Sequence, residues 1–341
     1  MILTRGARTT GAVICALLAL IALSWVVRDL STADGPVQLW RFWEAGPSGT
    51  AQASLTTTLY DLMLVVVYAV VAVAALRSPV AGSALVATAV VTLVLRVPGL
   101  WVQNADRMSH WSSDELRFRA LVSTLIALAG AFALIITVAA GRRPADGAQQ
   151  ALPTRPGRGP AVTAGLLLLL AALVGAGWEI YWMRTLLLGV GPKVYSYRFT
   201  GQRGIFMPLL GVPAGWLAVL MTLLRVVAAI GAFARGPFAR PLGMVAAAGL
   251  TASGALSSSF ALRFHLFSHF ADRGLRDQLS LLTAVFALVA GVVVLVLLAM
   301  KGETATVGRP QPLWQQPAGQ RGGGFGPPLS PPPPSSPPPG W

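Results

Sequence analysis

Eight stretches of largely apolar residues recur along the chain, at roughly 10–28, 58–76, 80–101, 120–141, 161–183, 208–234, 241–262 and 279–300. An α-helix of about 20 such residues rises about 30 Å, the thickness of the hydrocarbon core of a bilayer. In water, eight runs of that kind would leave lipid-like surface with nothing to cover it. The sequence therefore predicts an all-α polytopic membrane protein of about eight transmembrane helices, with the lipid bilayer as its first partner. Composition agrees: 11% of residues are charged, against about 25% in an ordinary soluble domain. A soluble enzyme is excluded. The clearest spans are Val122–Ala140, Ala161–Gly177 and Leu279–Met300, whereas Arg96 and Pro98 interrupt the last turn of 80–101. The first block runs into Trp25 without an Ala-x-Ala cleavage pattern, so it is expected to stay as an anchor.

The net charge of +14 arises from 26 basic and 12 acidic side chains. The basic residues sit in the connections between apolar blocks, where they suit anionic headgroups rather than nucleic acid. Only Lys193 and Lys301 are lysines. An arginine bias of that size, with abundant Ala, Gly and Pro, accompanies high-GC bacterial coding and suggests the bacterial cytoplasmic membrane. Basic residues close to span ends orient a chain. Arg5, Arg8, Arg142, Arg143, Arg235 and Arg240 fall on one side, which puts both termini in the cytoplasm. Cys15 is the single cysteine, so neither an internal disulfide nor a cysteine-ligated metal is possible. His110, His265 and His269 fall in loops, and no cofactor or metal is expected.

The chain reads as two four-span halves, 1–141 and 161–301, joined by a polar linker at 142–160. In each half a span ends in tryptophan (Trp25; Trp178 and Trp182), and a later one ends in an Arg-x-Pro turn (Arg77 and Pro79; Arg235 and Pro237). A return span then ends at Arg96 or Arg263, and an Ala-Asp-Arg run precedes the last span (Asp106 and Arg107; Asp272 and Arg273). Four spans per half is an even number, so such repeats would be parallel. Beyond Lys301 the composition changes: 12 of the 25 prolines lie between Pro310 and Pro339. Residues 302–341 are expected to be a disordered, Pro/Gly-rich tail that could dock on a protein partner.

Charges inside or beside a span are the candidate site residues, because each is costly unless paired or hydrated. Arg225 is the deepest, ten residues before Arg235 or about 15 Å along a helix. It can face a cavity as an anion-binding group, extend towards the inner surface, or pair with another helix. Asp61 is the one carboxylate that could enter a span; a direct pair with Arg225 would stretch both side chains, so Asp61 is expected at the interface. Glu179, among Trp178, Tyr181 and Trp182, is expected in an aromatic belt with Arg184 as its partner. The stretch 37–44 is expected to be a short amphipathic segment along the outer surface. Arg96, Arg107, Arg117 and Arg119 could meet Arg263, Arg273 and Arg276 around an outer vestibule, joined by Arg184, Lys193, Arg198 and Arg203. Asp106, Asp114, Glu115, Asp272 and Asp277 are interleaved with them and suit local ion pairs. Gly249, Ser253 and Ser257 form a small-residue face suited to helix packing.

No nucleotide-binding loop, metalloprotease helix or nucleophile elbow is present. The leading expectation is therefore a non-catalytic integral component of the bacterial cell envelope. The alternative is a transporter or permease for an anionic solute or lipid, with Arg225, Asp61, Glu179, Arg96 and Arg263 as substrate-binding candidates. A membrane-embedded transferase using Glu179, Asp106 or Asp272 is the third possibility.

Overall fold

The structure, a computed structural model, describes residues 2–46, 54–78, 80–103, 112–143, 154–202, 207–300 and 303–304. Pro79, Asp106, Arg107, His110, Arg203, Lys301, most of the linker 142–160 and nearly all of the tail 302–341 lie outside the described residues. Eight helices are long and apolar enough to cross a membrane. They are α1 (Arg5–Thr32), α3 (Leu59–Arg77), α4 with its short continuation α5 (Gly82–Arg96, Gly99–Val102), α6 (Asp114–Ala140), α7 (Arg158–Gly189), α9 (Ala214–Phe233), α10 (Ala239–Arg263) and α11 (Leu275–Ala299). Two shorter helices, α2 (Pro36–Ala45) and α8 (Pro192–Thr200), follow α1 and α7. All belong to the unit Met1–Ala305. The molecule is an integral membrane protein by architecture.

Local chemistry sets the helix ends. Thr4 and Ser113 accept hydrogen bonds from Ala7 and Leu116 as N-caps, and Pro213 stands just ahead of α9. The expected span 208–234 is accordingly shorter at its start: Leu209 and Leu210 are buried in a turn before Pro213. Conversely α1 and α7 outrun the expected 10–28 and 161–183: mostly polar residues extend α1 at both ends, and Arg184 to Gly189, with Leu186, Leu187 and Leu188, extend α7.

The two halves pack their helices in the same order. In the first, α1 packs on α3 and α6, and α4 on α3 and α6; in the second, α7 packs on α9 and α11, and α10 on α9 and α11. Short antiparallel ladders tie the ends of each set: β1 (Ile2–Leu3) with β2 (Arg142–Arg143), and β3 (Thr154–Arg155) with β4 (Glu303–Thr304). In each half a tryptophan of the first helix donates to a hydroxyl of the last, Trp25 to Ser123 at 3.0 Å and Trp178 to Thr283 at 3.1 Å. Across the seam, α10 meets α3 and α4, and α9 meets α4.

Close helix approach rests on small residues. A Cβ added at Gly254 would lie 2.2 Å from the backbone nitrogen of Leu288, and one at Gly291 would lie 2.3 Å from the Thr251 hydroxyl. Van der Waals packing is what holds helices together in lipid, where the hydrophobic drive between them is missing. Outward-facing Leu20, Val70, Phe132, Leu173 and Leu282 are exposed, as lipid-facing side chains are.

Candidate functional site

Some of the carboxylates and arginines singled out in the sequence meet partners other than those expected, whereas Asp114 and Glu115 meet the local ones expected. Asp61 sits in the first turn of α3 and Arg96 in the last turn of α4. Consecutive spans run antiparallel, so these two turns share one level, and Arg96 Nη2 lies 2.7 Å from Asp61 Oδ1 with both side chains buried. An acid at a helix start and a base at a helix end also complement the helix dipoles. Asp61 further accepts from the Thr58 amide at 2.7 Å and the Thr58 hydroxyl at 2.9 Å. Its partner is thus Arg96, not Arg225.

Glu179 takes Arg198 at 2.7 Å rather than Arg184, and it also accepts from the Tyr195 hydroxyl at 3.4 Å. Arg184 is five residues along α7, which turns it away, and it is exposed; Arg198 comes from α8, a helix the sequence reading left out. Burial, with the neighbouring Glu179 carboxylate, pushes the Tyr195 phenol above its ordinary pKa. The aromatic group is intact: Trp178, Tyr181 and Trp182 make edge-to-face contacts, and Arg198 and Arg276 stack over Trp182. Arg263 reaches Glu44 at 3.4 Å. Arg117 and Arg119 pair with Asp114 and Glu115 within one turn of α6, so these arginines are held locally.

A carboxylate absent from the sequence candidates is the most heavily bonded of all. Asp29, at the end of α1, is fully buried and accepts from the amides and hydroxyls of Thr56 and Thr57 at 2.6 to 3.2 Å, and from Arg28 at 2.7 Å. The signal was present: an Asp following an apolar span, and a Thr-Thr-Thr run opening the next. These bonds join the outgoing α1 to the incoming α3.

Arg225 is the exception to this pairing. It lies mid-way along α9, and side chains on a helix lean towards its N-terminus. The guanidinium therefore runs away from Arg235, towards Gly175 of α7 and the Tyr60 ring of α3. Among the described residues it meets no carboxylate, and its buried Nε has no hydrogen-bond partner. Tyr60 and Ser253 of α10 border one cavity, so a cation, a phenol and a hydroxyl from three helices come near one another where the halves meet.

On the other side of Tyr60 lies a cavity of about 410 Å³, bordered by Trp43 and Glu44 of α2, Ser253 and Ser257 of α10, and Ser280 of α11. Ser253 and Ser257 thus turn to this space, while Gly254 of the same helix packs on α11. Two further grooves flank the seam, one of about 670 Å³ between α4 and α9 and one of about 410 Å³ between α3 and α10. Both are lined mainly by Val, Leu and Ala and suit acyl chains, with Ser83 and Arg142 in the first and Ser78, Ser83 and Arg240 in the second as their polar groups. No group of three or more His, Cys, Asp or Glu side chains converges among the described residues. No family model matches the chain, and comparison with curated proteins and with solved structures gives no match.

Proposed function

We propose that the chain is a multi-pass protein of the bacterial cytoplasmic membrane that takes up an anionic group, of a solute or a lipid, at Arg225 in the seam between two duplicated halves. One observation carries this reading: among the described residues Arg225 sits inside a span with no carboxylate beside it, whereas Arg96, Arg198 and Arg263 all have one. An unpaired cation in a span is expensive, and an incoming carboxylate or phosphate would offset that cost. The planar donors of arginine bind two oxygens of such a group at once. Duplication is supported by the shared helix order, the two terminal ladders and the Trp25–Ser123 and Trp178–Thr283 bonds. Sites at repeat interfaces are a recurrent arrangement in membrane carriers. Cytoplasmic termini are supported by Arg5, Arg8, Arg142 and Arg143 at one end of the bundle.

The test is flux in liposomes holding the purified chain, with phosphate, a carboxylate and a fluorescent anionic phospholipid as probes. Arg225→Ala is expected to abolish movement of the anion that wild type carries, and Arg225→Lys to keep part of it. Absence of movement for all three probes, or movement indifferent to Arg225→Ala, would sink the proposal.

A further inference from the structure

The cavity beyond Tyr60 carries an inference independent of the anion reading. It is a built site rather than a packing gap, because α2, α3, α10 and α11 all bring polar groups to it. Glu44 is the key group: its side chain is 2% exposed, and among the described residues one donor reaches each of its carboxylate oxygens. Trp40 Nε1 donates to Oε1 at 2.8 Å, and Arg263 approaches Oε2 at a long 3.4 Å. A carboxylate accepts about four hydrogen bonds, so acceptor capacity is left. Tyr60, Ser257 and Ser280 add hydroxyls that both donate and accept, and Ser253, whose hydroxyl donates to the Leu250 carbonyl at 2.9 Å, adds an acceptor. Flat apolar surface comes from Trp43. Trp40 Nε1 also donates to Ser259 at 2.9 Å, which holds α2 against α10 and keeps the cavity formed.

We propose that this cavity binds a sugar ring of the hexose type. A pyranose has one apolar C–H face, which matches Trp43, and an edge of neighbouring hydroxyls, which matches an acceptor-only carboxylate ringed by alcohols. A metal ion would find one carboxylate and no imidazole there, and an acyl chain would leave the hydroxyls and Glu44 unsatisfied. The volume falls in the range of small-molecule sites. The ring can be borne on a membrane glycolipid or on a free saccharide.

The experiment uses the full chain in a zwitterionic detergent free of sugar. Methyl and octyl glycosides of glucose, galactose and mannose are titrated, and tryptophan fluorescence is followed with no ion gradient present. At least one hexose is expected to give a saturable change. Glu44→Gln should weaken it by about tenfold or more, as the loss of a charged acceptor does. Ser257→Phe and Ser280→Phe, on separate helices, should block it while keeping the wild-type thermal midpoint. Tighter binding of the octyl form assigns the ring to a lipid, and equal binding assigns it to a free saccharide. No saturable response to any of the three hexoses, or a response that survives all three substitutions, overturns the proposal. Because no anion flux is measured, failure here is separable from failure at Arg225.

Discussion

The halves share a helix order and differ in what they bury. Among the described residues, Asp29, Thr56, Thr57, Asp61, Thr88, Thr92, Arg96, Gln103 and Thr124 are buried in the first half, whereas Ser258 is the buried polar residue of the second. Most of the first set is linked. Tyr68 bonds Thr92 at 2.8 Å, Thr92 in turn donates to the Thr88 carbonyl, and Gln103 donates to Thr124 at 2.9 Å. These bonds tie neighbouring spans together, while among the described residues the Thr88 hydroxyl and Gln103 Oε1 are buried without a hydrogen-bond partner. Among the described residues Arg225 of the second half has no carboxylate beside it, and the cavity lies between the halves, with Trp43, Glu44 and Tyr60 on one side and Ser253, Ser257 and Ser280 on the other. The two sets of helices thus share a packing order and differ in how many polar side chains they bury among the described residues.

Deleting the same charge from each half puts that contrast under the greatest strain. Arg96→Leu leaves Asp61 buried without its partner and should lower stability by about 3–5 kcal/mol, the cost of breaking a buried pair. Arg225→Leu removes an uncompensated charge from a span and should leave stability unchanged or raise it by up to about 3 kcal/mol. Unfolding in mixed detergent micelles checks both, and equal losses would break the comparison. Next in size are the glycines. Gly254→Ala drives a Cβ into the backbone of Leu288 and should cost about 1–3 kcal/mol. Gly177→Ala, with nothing within 4 Å, should gain about 0.5–1 kcal/mol in the same assay. The smallest effect belongs to Asp114→Asn, whose side chain is 91% exposed; a change within about 0.5 kcal/mol is expected. A larger loss there would show that the outer arginines need their local partners.

Spans were legible because apolar length is a one-dimensional property, and lipid leaves the backbone little choice but helix. The identity of the partners was not, because it depends on which turns share a level. Depth counted along separate helices kept Asp61 apart from Arg225 without naming another partner, yet the antiparallel course of consecutive spans already puts Asp61 level with Arg96. Glu179 went to Arg198 because the connection after α7 folds back as α8, whose Pro192 and Gly201 boundaries are weak signals on their own. Glu44 and Asp29 drew no notice in the sequence, since each lies just outside an apolar run; only the packing of α2 and the Thr56–Thr57 turn reveals what they hold. Arg225 was legible as an oddity, and its lack of a carboxylate needed the fold.

Arg8 donates to the carbonyls of Ala75 at 2.9 Å and of Leu76, and Arg240 donates to the carbonyls of Leu298 at 2.9 Å and Met300 at 2.5 Å. Each arginine at the start of one span therefore seals the frayed end of another. Positive charge at that end of the bundle is partly turned inward, onto helix termini. Electrostatic grip on the adjoining leaflet falls to its exposed neighbours, Arg5 and Arg142 among them. A cationic collar so divided clamps the helices together with one set of residues and grips the leaflet with another.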